Sequence, residues 1–162
     1  MIIINEPKNH KYNCLFLPGM PGAVKEFGFF EDIKETGGKI HWLQYSGTYS
    51  NRTGVNFSLE SSAKDIIDAL AALSKENLPI LVVAYSYSTV LLKLVEFGDY
   101  HSICGMALFS PIRGLDSANI EEDFNSTISN LIESGDIVAD SDQWRNDIIQ
   151  KSSSDYSKFL KK

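Results

Sequence analysis

The stretch ILVVAYSYSTVLLKLVEFG, from Ile80 to Gly98, decides the fold that this sequence predicts. Its first part, Ile80 to Ala84, is an apolar and mostly β-branched run after Pro79, which is typical of a strand buried on both faces. The apolar residues of Val90 to Phe97 recur at helical spacing, and Gly98 stands where a left-handed helix cap is expected. We therefore predict a strand and a helix joined by a turn of almost no length.

The turn between this strand and this helix places Ser86 at its apex. So tight a turn strains the backbone at the apex and holds the hydroxyl at the carboxyl end of the strand. Strand and helix crowd the positions two before and two after the apex, and these are the small residues Ala84 and Ser88. The string A-Y-S-Y-S thus resembles the G-x-S-x-G nucleophile elbow of the α/β-hydrolase family, with small residues instead of both glycines. A serine that only caps the helix is the alternative.

A second loop adds to the resemblance. Residues 18–22 are P-G-M-P-G and follow a predicted buried strand, Cys14 to Leu17. Because parallel strands end on one side of a sheet, this loop is expected beside Ser86. The α/β-hydrolase family usually has H-G-x-P-G here. The resemblance implies that Ser86 is the nucleophile and that the backbone amides of Met20 and Tyr87 hold the oxyanion. An ordinary Gly/Pro turn is the alternative, and a phosphate-binding loop lacks its glycine and lysine pattern.

Strands and helices alternate along most of the chain. Besides the elements above, periodicity predicts a helix around Phe27, Phe30 and Ile33, a strand from Ile40 to Tyr45, a long helix capped by Ser58 whose charged residues (including Asp65) face solvent, and a strand from Ile103 to Phe109. This order predicts an α/β fold, a three-layer parallel sheet with helices on both faces that is similar to a truncated α/β-hydrolase. We assign residues 1–116 to the core and residues 117–162 to a helical lid segment of the same domain.

Composition disfavours several classes of partner. The 162 residues carry a formal net charge of -6, which argues against nucleic acid and anionic membranes. No apolar run approaches the ~20 residues of a membrane span, and no signal peptide is recognisable, so a cytoplasmic location is expected. Cys14 and Cys104 lack the neighbours of a metal site and are expected to be buried thiols. No cofactor and no metal are predicted.

The histidines do not complete a catalytic triad in the predicted fold. A serine needs a base to take its proton, and the family supplies an acid and a histidine after the elbow. The three histidines, His10, His41 and His101, are all expected near the amino ends of strands, about 17 Å from Ser86. We therefore expect the general base and the acid from further sequence or from a partner.

Two functions remain open, and the sequence leaves undecided whether the chain is an enzyme by itself. The first is a serine hydrolase or acyl transferase that acts on a small acyl-bearing ester, thioester or amide. The second is a catalytically inactive α/β-hydrolase-like module that binds a ligand or a protein. The strand Ile103 to Phe109 is apolar on both faces, so we expect a second copy, a complementary chain or the terminal helices to cover it.

Overall fold

The core of the protein is a sheet that has five strands among the residues that the structure describes. A computed structural model describes residues 1–5, 7–19, 27–48, 58–109, 129–130 and 132–134. The strands are β1 (Ile2–Ile3), β2 (Tyr12–Leu17), β3 (Gly38–Trp42), β4 (Ile80–Tyr85) and β5 (Ile103–Phe109). Their order is β1-β3-β2-β4-β5, and all neighbours are parallel except β1, which pairs antiparallel with β3.

Helices connect the parallel strands. They are α1 (Phe29–Glu35), α2 (Leu59–Ser74) and the short α3 (Tyr87–Leu91), which is followed by 3₁₀ turns at Leu92–Leu94 and Phe97–Asp99. Ser58 caps α2 as predicted. Its hydroxyl accepts the Ser61 N–H at 3.0 Å, and the Ser61 hydroxyl accepts the Ser58 N–H at 2.9 Å. These bonds satisfy groups that a helix start leaves unpaired. None of the described helices is long and apolar enough to cross a membrane.

Both faces of the sheet are covered, so the predicted three-layer α/β architecture is confirmed. Successive side chains of β2 point to opposite faces, as in any strand. Phe16 packs in one cluster with Phe30 of α1 and Trp42 of β3. Leu15 belongs to the cluster on the other face, together with Ile66 of α2. All five side chains are almost fully buried, and β2 and β4 lie between neighbouring strands at the centre of the sheet.

The segment after β4 differs from its prediction. α3 ends at Leu91, a 3₁₀ turn follows, and Val95 is extended with φ -103° and ψ 123°. Gly98 lies in the second 3₁₀ turn and does not have the left-handed backbone of a helix cap. The break in the helix buries Val95 and leaves Leu94 exposed, whereas an uninterrupted helix would have aligned Leu94 with Val90 and Leu91. Core packing therefore overrides the helical pattern of the sequence.

β5 has its predicted bounds and is an edge strand in the described part of the chain. It pairs with β4, and three of its side chains are substantially exposed, Met106 by 45%, Leu108 by 52% and Phe109 by 41%. The prediction that Cys104 is buried is therefore wrong, because its side chain is exposed on this strand. Cys14 is buried as predicted, and burial raises its pKa to about 12. Both thiols are free.

The predicted lid, residues 117–162, falls mostly outside the described residues, and so does the predicted boundary at residue 116. Within residues 129–130 and 132–134, the Ser134 N–H donates to the Asn130 carbonyl oxygen at 2.9 Å, which is one turn of helix. Ile132 packs against the core cluster on the α2 face of the sheet. The division into core and lid remains a prediction.

Candidate functional site

Ser86 lies at the turn between β4 and α3 in a backbone conformation that is rare for a residue with a side chain. Its φ is 49° and its ψ is -115°. Such a conformation costs on the order of 1–3 kcal/mol in a residue other than glycine. The side chain is partly exposed and makes no capping hydrogen bond to α3, so the helix-capping alternative does not describe this serine. The strained apex that the sequence predicts is present.

The surrounding structure holds Ser86 in this conformation. Its N–H donates to the carbonyl oxygen of Phe109 at 3.0 Å. Its carbonyl oxygen accepts the Thr89 N–H at 2.9 Å and the Thr89 hydroxyl at 2.6 Å. Ala84 and Ser88 are fully buried on either side of the turn, which accounts for the small residues at these two positions.

Gly19, at the start of the loop after β2, lies beside Ser86. β2 and β4 are paired in parallel up to Leu17 and Ala84, so the next residues of the two strands remain neighbours. A Cβ atom added to Gly19 would lie 2.9 Å from Cδ1 of Tyr85 and 3.4 Å from Cβ of Ser86. The backbone of the loop can approach the turn this closely because Gly19 has no side chain. The predicted proximity is therefore present at Gly19, and residues 20–22 of the loop lie outside the described residues.

The two predicted oxyanion donors differ in what the structure shows of them. Tyr87 follows Ser86 directly and opens α3. Its side chain is buried, its hydroxyl lies 3.4 Å from Ser62 Oγ, and its ring meets the ring of Tyr45 edge-on at a centroid distance of 5.9 Å. Met20 follows Gly19 and lies outside the described residues. The role of the Met20 amide as an oxyanion donor is therefore a proposal.

The buried hydroxyl groups of Ser88 and Tyr45 connect α3, the loop after β2 and the loop after β3. The Ser88 hydroxyl donates to the carbonyl oxygen of Pro18, and the Tyr45 hydroxyl is hydrogen-bonded to Ser88 Oγ. Tyr45 and Ser88 are fully buried, and burial raises the pKa of Tyr45 well above its ordinary value. Sequence analysis noted Ser88 only for its small size and missed the hydrogen bonds of both residues, because these bonds span 43 and 70 residues and no local pattern marks such partners.

Asp65 anchors the loop that carries Tyr45. Its carboxylate accepts the Ser46 N–H at 2.7 Å and the Ser46 hydroxyl at 3.0 Å. The prediction that Asp65 merely faces solvent is wrong, because the side chain is partly buried and burial raises the pKa of its carboxyl group. Its neighbour Asp68 does face solvent and pairs with Lys64 at 2.5 Å. Helical periodicity alone could not separate the two aspartates, since the contact comes from a distant loop.

Aromatic side chains flank the turn on the α1 face of the sheet. The ring of Tyr85 lies 5.7 Å from that of Phe27 between centroids. Phe29 stacks on Phe109 with centroids 5.0 Å apart and an interplanar angle of 2°. Phe109 is also the residue whose carbonyl oxygen accepts the Ser86 N–H. Partly exposed aromatic surface therefore lies close to Ser86.

His41 and His10 have partners away from Ser86. His41 is buried in β3, and its Nε2 is hydrogen-bonded to Asn13 Oδ1 at 2.9 Å. The Asn13 amide also donates to the Glu76 carboxylate at 3.0 Å, and His10 Nε2 lies 3.7 Å from the same oxygen of Glu76. His101 is exposed in the turn before β5.

Strand register separates His41 from Ser86. His41 is paired with Leu15, which is paired with Val82, four residues before Ser86. This spacing corresponds to about 13 Å along the strands. His41 lies further along its strand than predicted, but it remains well short of the turn. In the part of the chain that the structure describes, no group of three or more His, Cys, Asp and Glu residues is arranged to hold a metal ion.

The burial of His41 makes the stability of the protein depend on pH. Burial lowers the pKa of His41, Lys39 and His10 lower it further, and Glu76 opposes them. The unfolded chain therefore takes up this proton at a higher pH than the folded chain. We expect the free energy of unfolding to decrease as the pH falls below the unfolded pKa of about 6.5. Urea unfolding measured between about pH 7.5 and about pH 5.5 tests this.

Two histidine variants provide the controls for this experiment. His41→Gln removes the titrating group, so its stability should depend less on pH than that of the wild type. His101→Gln changes an exposed histidine and should retain the wild-type dependence. Equal pH dependence in His41→Gln and the wild type would contradict the prediction.

Solved structures share the architecture of this chain. Rv0554 from Mycobacterium tuberculosis matches 93% of it with a TM-score of 0.55 and 17% identity. BpoC from Mycobacterium tuberculosis H37Rv, a candidate non-heme bromoperoxidase, matches 98% of it with a TM-score of 0.56 and 16% identity. The fold is α/β-hydrolase-like. A protein with unknown function from Staphylococcus aureus subsp. aureus Mu50 matches 99% of the chain with a TM-score of 0.52 and 16% identity.

These similarities concern the fold alone, because the identities are low. The chain spans only 60%, 64% and 62% of the lengths of these three proteins. No protein-family model and no curated protein matches the sequence. The α/β-hydrolase-like fold thus agrees with the resemblance of the elbow and the loop, and the roles of Ser86, Met20 and Tyr87 are proposals.

Proposed function

We propose that this chain carries the nucleophile and the oxyanion-binding part of a serine hydrolase or acyl transferase of α/β-hydrolase type. The backbone of Ser86 is the observation that carries the proposal. Ser86 has φ 49° although it carries a side chain, it makes no capping hydrogen bond to α3, and it lies against Gly19. Strain of this kind persists only where the surrounding structure enforces it, and it is concentrated at active sites.

The proposed reaction is acyl transfer from a small ester, thioester or amide. Ser86 Oγ bonds to the carbonyl carbon of the substrate while a base takes the hydroxyl proton, and the carbonyl oxygen becomes an oxyanion. The N–H groups of Met20 and Tyr87 donate to that oxyanion. The bond to the leaving group then breaks, and the leaving group receives the proton. Water or another acceptor subsequently takes the acyl group from Ser86.

The aromatic flank supports an uncharged, apolar acyl group as the substrate. Phe109 is 41% exposed and stacks on Phe29, and its carbonyl oxygen holds the Ser86 amide. An acyl chain attached to Ser86 would gain by covering this surface, because apolar area is removed from water. No charged partner is needed for such a contact.

The general base and its acid are proposed to come from outside the described residues or from a partner chain. The described positions of the three histidines support this, because strand register keeps His41 away from Ser86, and His10 and His101 precede β2 and β5 at the opposite ends of the strands. The exposed edge of β5 is the proposed place of attachment for a complementary chain or a second copy. Exposed apolar edges are normally covered in native proteins. An element bound there would lie beside Phe109 and therefore near Ser86.

The histidine positions also favour a second function, that of a catalytically inactive module that binds a ligand or a protein partner. His41 is engaged with Asn13, and His10 lies against Glu76. Neither is placed to activate a serine. In this alternative the sheet and its loops are retained as a scaffold, and β5 contributes the interaction surface.

Labelling with a fluorophosphonate tests the enzymatic proposal on the 162-residue chain. A positioned serine and oxyanion site retain about 10³–10⁴-fold catalysis when a triad member is missing. We therefore expect slow covalent labelling of the wild type and none of Ser86→Ala. Ser102→Ala is the matched control, since its hydroxyl contacts Ser74 at 3.1 Å far from the turn. It should be labelled like the wild type.

Added imidazole separates the two proposed functions. If Ser86 is a nucleophile without its base, imidazole can accept the proton and should accelerate labelling of the wild type but not of Ser86→Ala. A folded chain that shows no labelling dependent on Ser86, with or without imidazole, would contradict the enzymatic function. That result would leave the binding module as the better account.

A further inference from the structure

Ser88 is a fully buried polar residue whose hydroxyl the proposed mechanism does not use. The crowding of β4 and α3 requires a small side chain at this position. Alanine or glycine would satisfy that requirement equally well, so size does not explain the hydroxyl. A buried hydroxyl is unfavourable unless it is hydrogen-bonded. The Ser88 hydroxyl has two partners, the Pro18 carbonyl oxygen and the Tyr45 hydroxyl.

The chemistry of these groups fixes the direction of the two bonds. A carbonyl oxygen can only accept, so the single proton of the Ser88 hydroxyl is donated to Pro18. The Tyr45 hydroxyl must then donate to Ser88 Oγ. Burial raises the pKa of Tyr45, which keeps this phenol protonated and able to donate.

The loop that holds Tyr45 is itself anchored. The Thr48 hydroxyl donates to the Tyr45 carbonyl oxygen at 2.6 Å. The next residue, Ser46, donates its N–H and its hydroxyl to Asp65 of α2. The Tyr45 hydroxyl is thus presented to Ser88 from a loop that is fixed to a long helix. Hydrogen bonds at Ser46 and at the Tyr45 hydroxyl, joined by the covalent chain between these two neighbours, thus connect α2 to Pro18.

We infer that Ser88 and Tyr45 are positioning residues that set where the loop after β2 lies relative to Ser86. The inference rests on the proposed function, because it concerns the site at which the oxyanion forms. Pro18 precedes Gly19, which lies against Ser86, and Met20 is the next residue. Without its hydrogen bond to Ser88, the Pro18 carbonyl can shift, and the Met20 N–H, the proposed oxyanion donor, would shift with it. A displacement of about 1 Å at a reacting centre can lower a rate by about 100-fold.

Fluorophosphonate kinetics on matched variants test this inference. We expect Ser88→Ala to lower the maximal rate of covalent labelling by about 100-fold, while the concentration for half-maximal rate changes by less than about twofold. Tyr45→Phe retains the Ser88 bond to Pro18 and should lower the rate less, by about 10-fold or below. Ser102→Ala is the control, because it removes a hydroxyl that contacts Ser74, at 3.1 Å and far from the turn. It should be labelled at the wild-type rate.

Hydrogen exchange distinguishes positioning from a general loss of stability. Amide exchange in the peptide that covers residues 12–19 should increase in Ser88→Ala relative to Ser102→Ala. If the wild type is labelled at Ser86 and Ser88→Ala is labelled equally fast, the positioning role is wrong and the proposed function stands. If the wild type is not labelled at all, the proposed function fails, and the positioning role fails with it.

Discussion

Replacement of Phe16 by alanine is expected to lower the free energy of unfolding by about 3–5 kcal/mol. Phe16 is fully buried in the middle of β2. Its ring centroid lies 4.5 Å from that of Trp42, 5.1 Å from that of Phe27 and 5.2 Å from that of Phe30. Truncation removes the contacts with all three rings, and a central strand that is paired on both sides cannot move to fill the cavity.

Urea unfolding measures this loss directly. Domains are stable by only about 5–15 kcal/mol, so Phe16→Ala should unfold at a much lower urea concentration or lose its folded state altogether. Ile67→Ala is the control, since it truncates an exposed apolar residue in the middle of α2, where alanine is the best helix former. It should stay within about 0.5 kcal/mol of the wild type. A similarly small effect of Phe16→Ala would contradict the described core.

Replacement of Ser86 by glycine is expected to abolish labelling and, at the same time, to stabilise the protein by about 1 kcal/mol. Glycine has no Cβ and adopts positive φ without strain, so the variant relieves the conformation at φ 49°. Part of the gain is offset because glycine loses more backbone entropy on folding. The side chain of Ser86 makes no capping bond whose loss would count against the variant.

Ser86→Ala separates the two parts of this prediction. Alanine removes the hydroxyl but keeps Cβ, so labelling should be lost without the gain in stability. The two variants differ in Cβ and in the backbone entropy that glycine loses on folding, so their difference in free energy of unfolding is the strain at residue 86 less that entropy cost. Equal stabilities of Ser86→Gly and Ser86→Ala would contradict the prediction that the strain at residue 86 exceeds the entropy cost of glycine.

The central part of the fold could be predicted from sequence because its signals are local. The apolar run at Ile80 specifies a strand buried on both faces, and Ser58 before an amphipathic pattern specifies a helix start. The elbow could be found for the same reason, since a strand that meets a helix without a loop allows only small residues at Ala84 and Ser88. Each of these features is determined by residues that are close together in the sequence.

The remainder could not be predicted because it depends on which distant residues meet. Asp65 occupies a charged position of a helix, and only the loop at Ser46 makes it a partly buried acceptor. Cys104 belongs to an apolar strand, but the edge position of β5 exposes it. The link between Tyr45 and Ser88 likewise requires the assembled sheet. Long-range contacts of this kind leave no periodicity in the sequence.

Locating the modified residue tests the central claim most directly. Trypsin should release Glu76–Lys93, a peptide that contains Ser86 together with Ser88 and Thr89. After treatment of the folded chain with a fluorophosphonate and imidazole, fragmentation of this peptide in a mass spectrometer should place the phosphonyl group on Ser86. A group on Ser88, on a tyrosine or on another peptide, or no modification of the folded chain, would contradict the claim that Ser86 is the nucleophile.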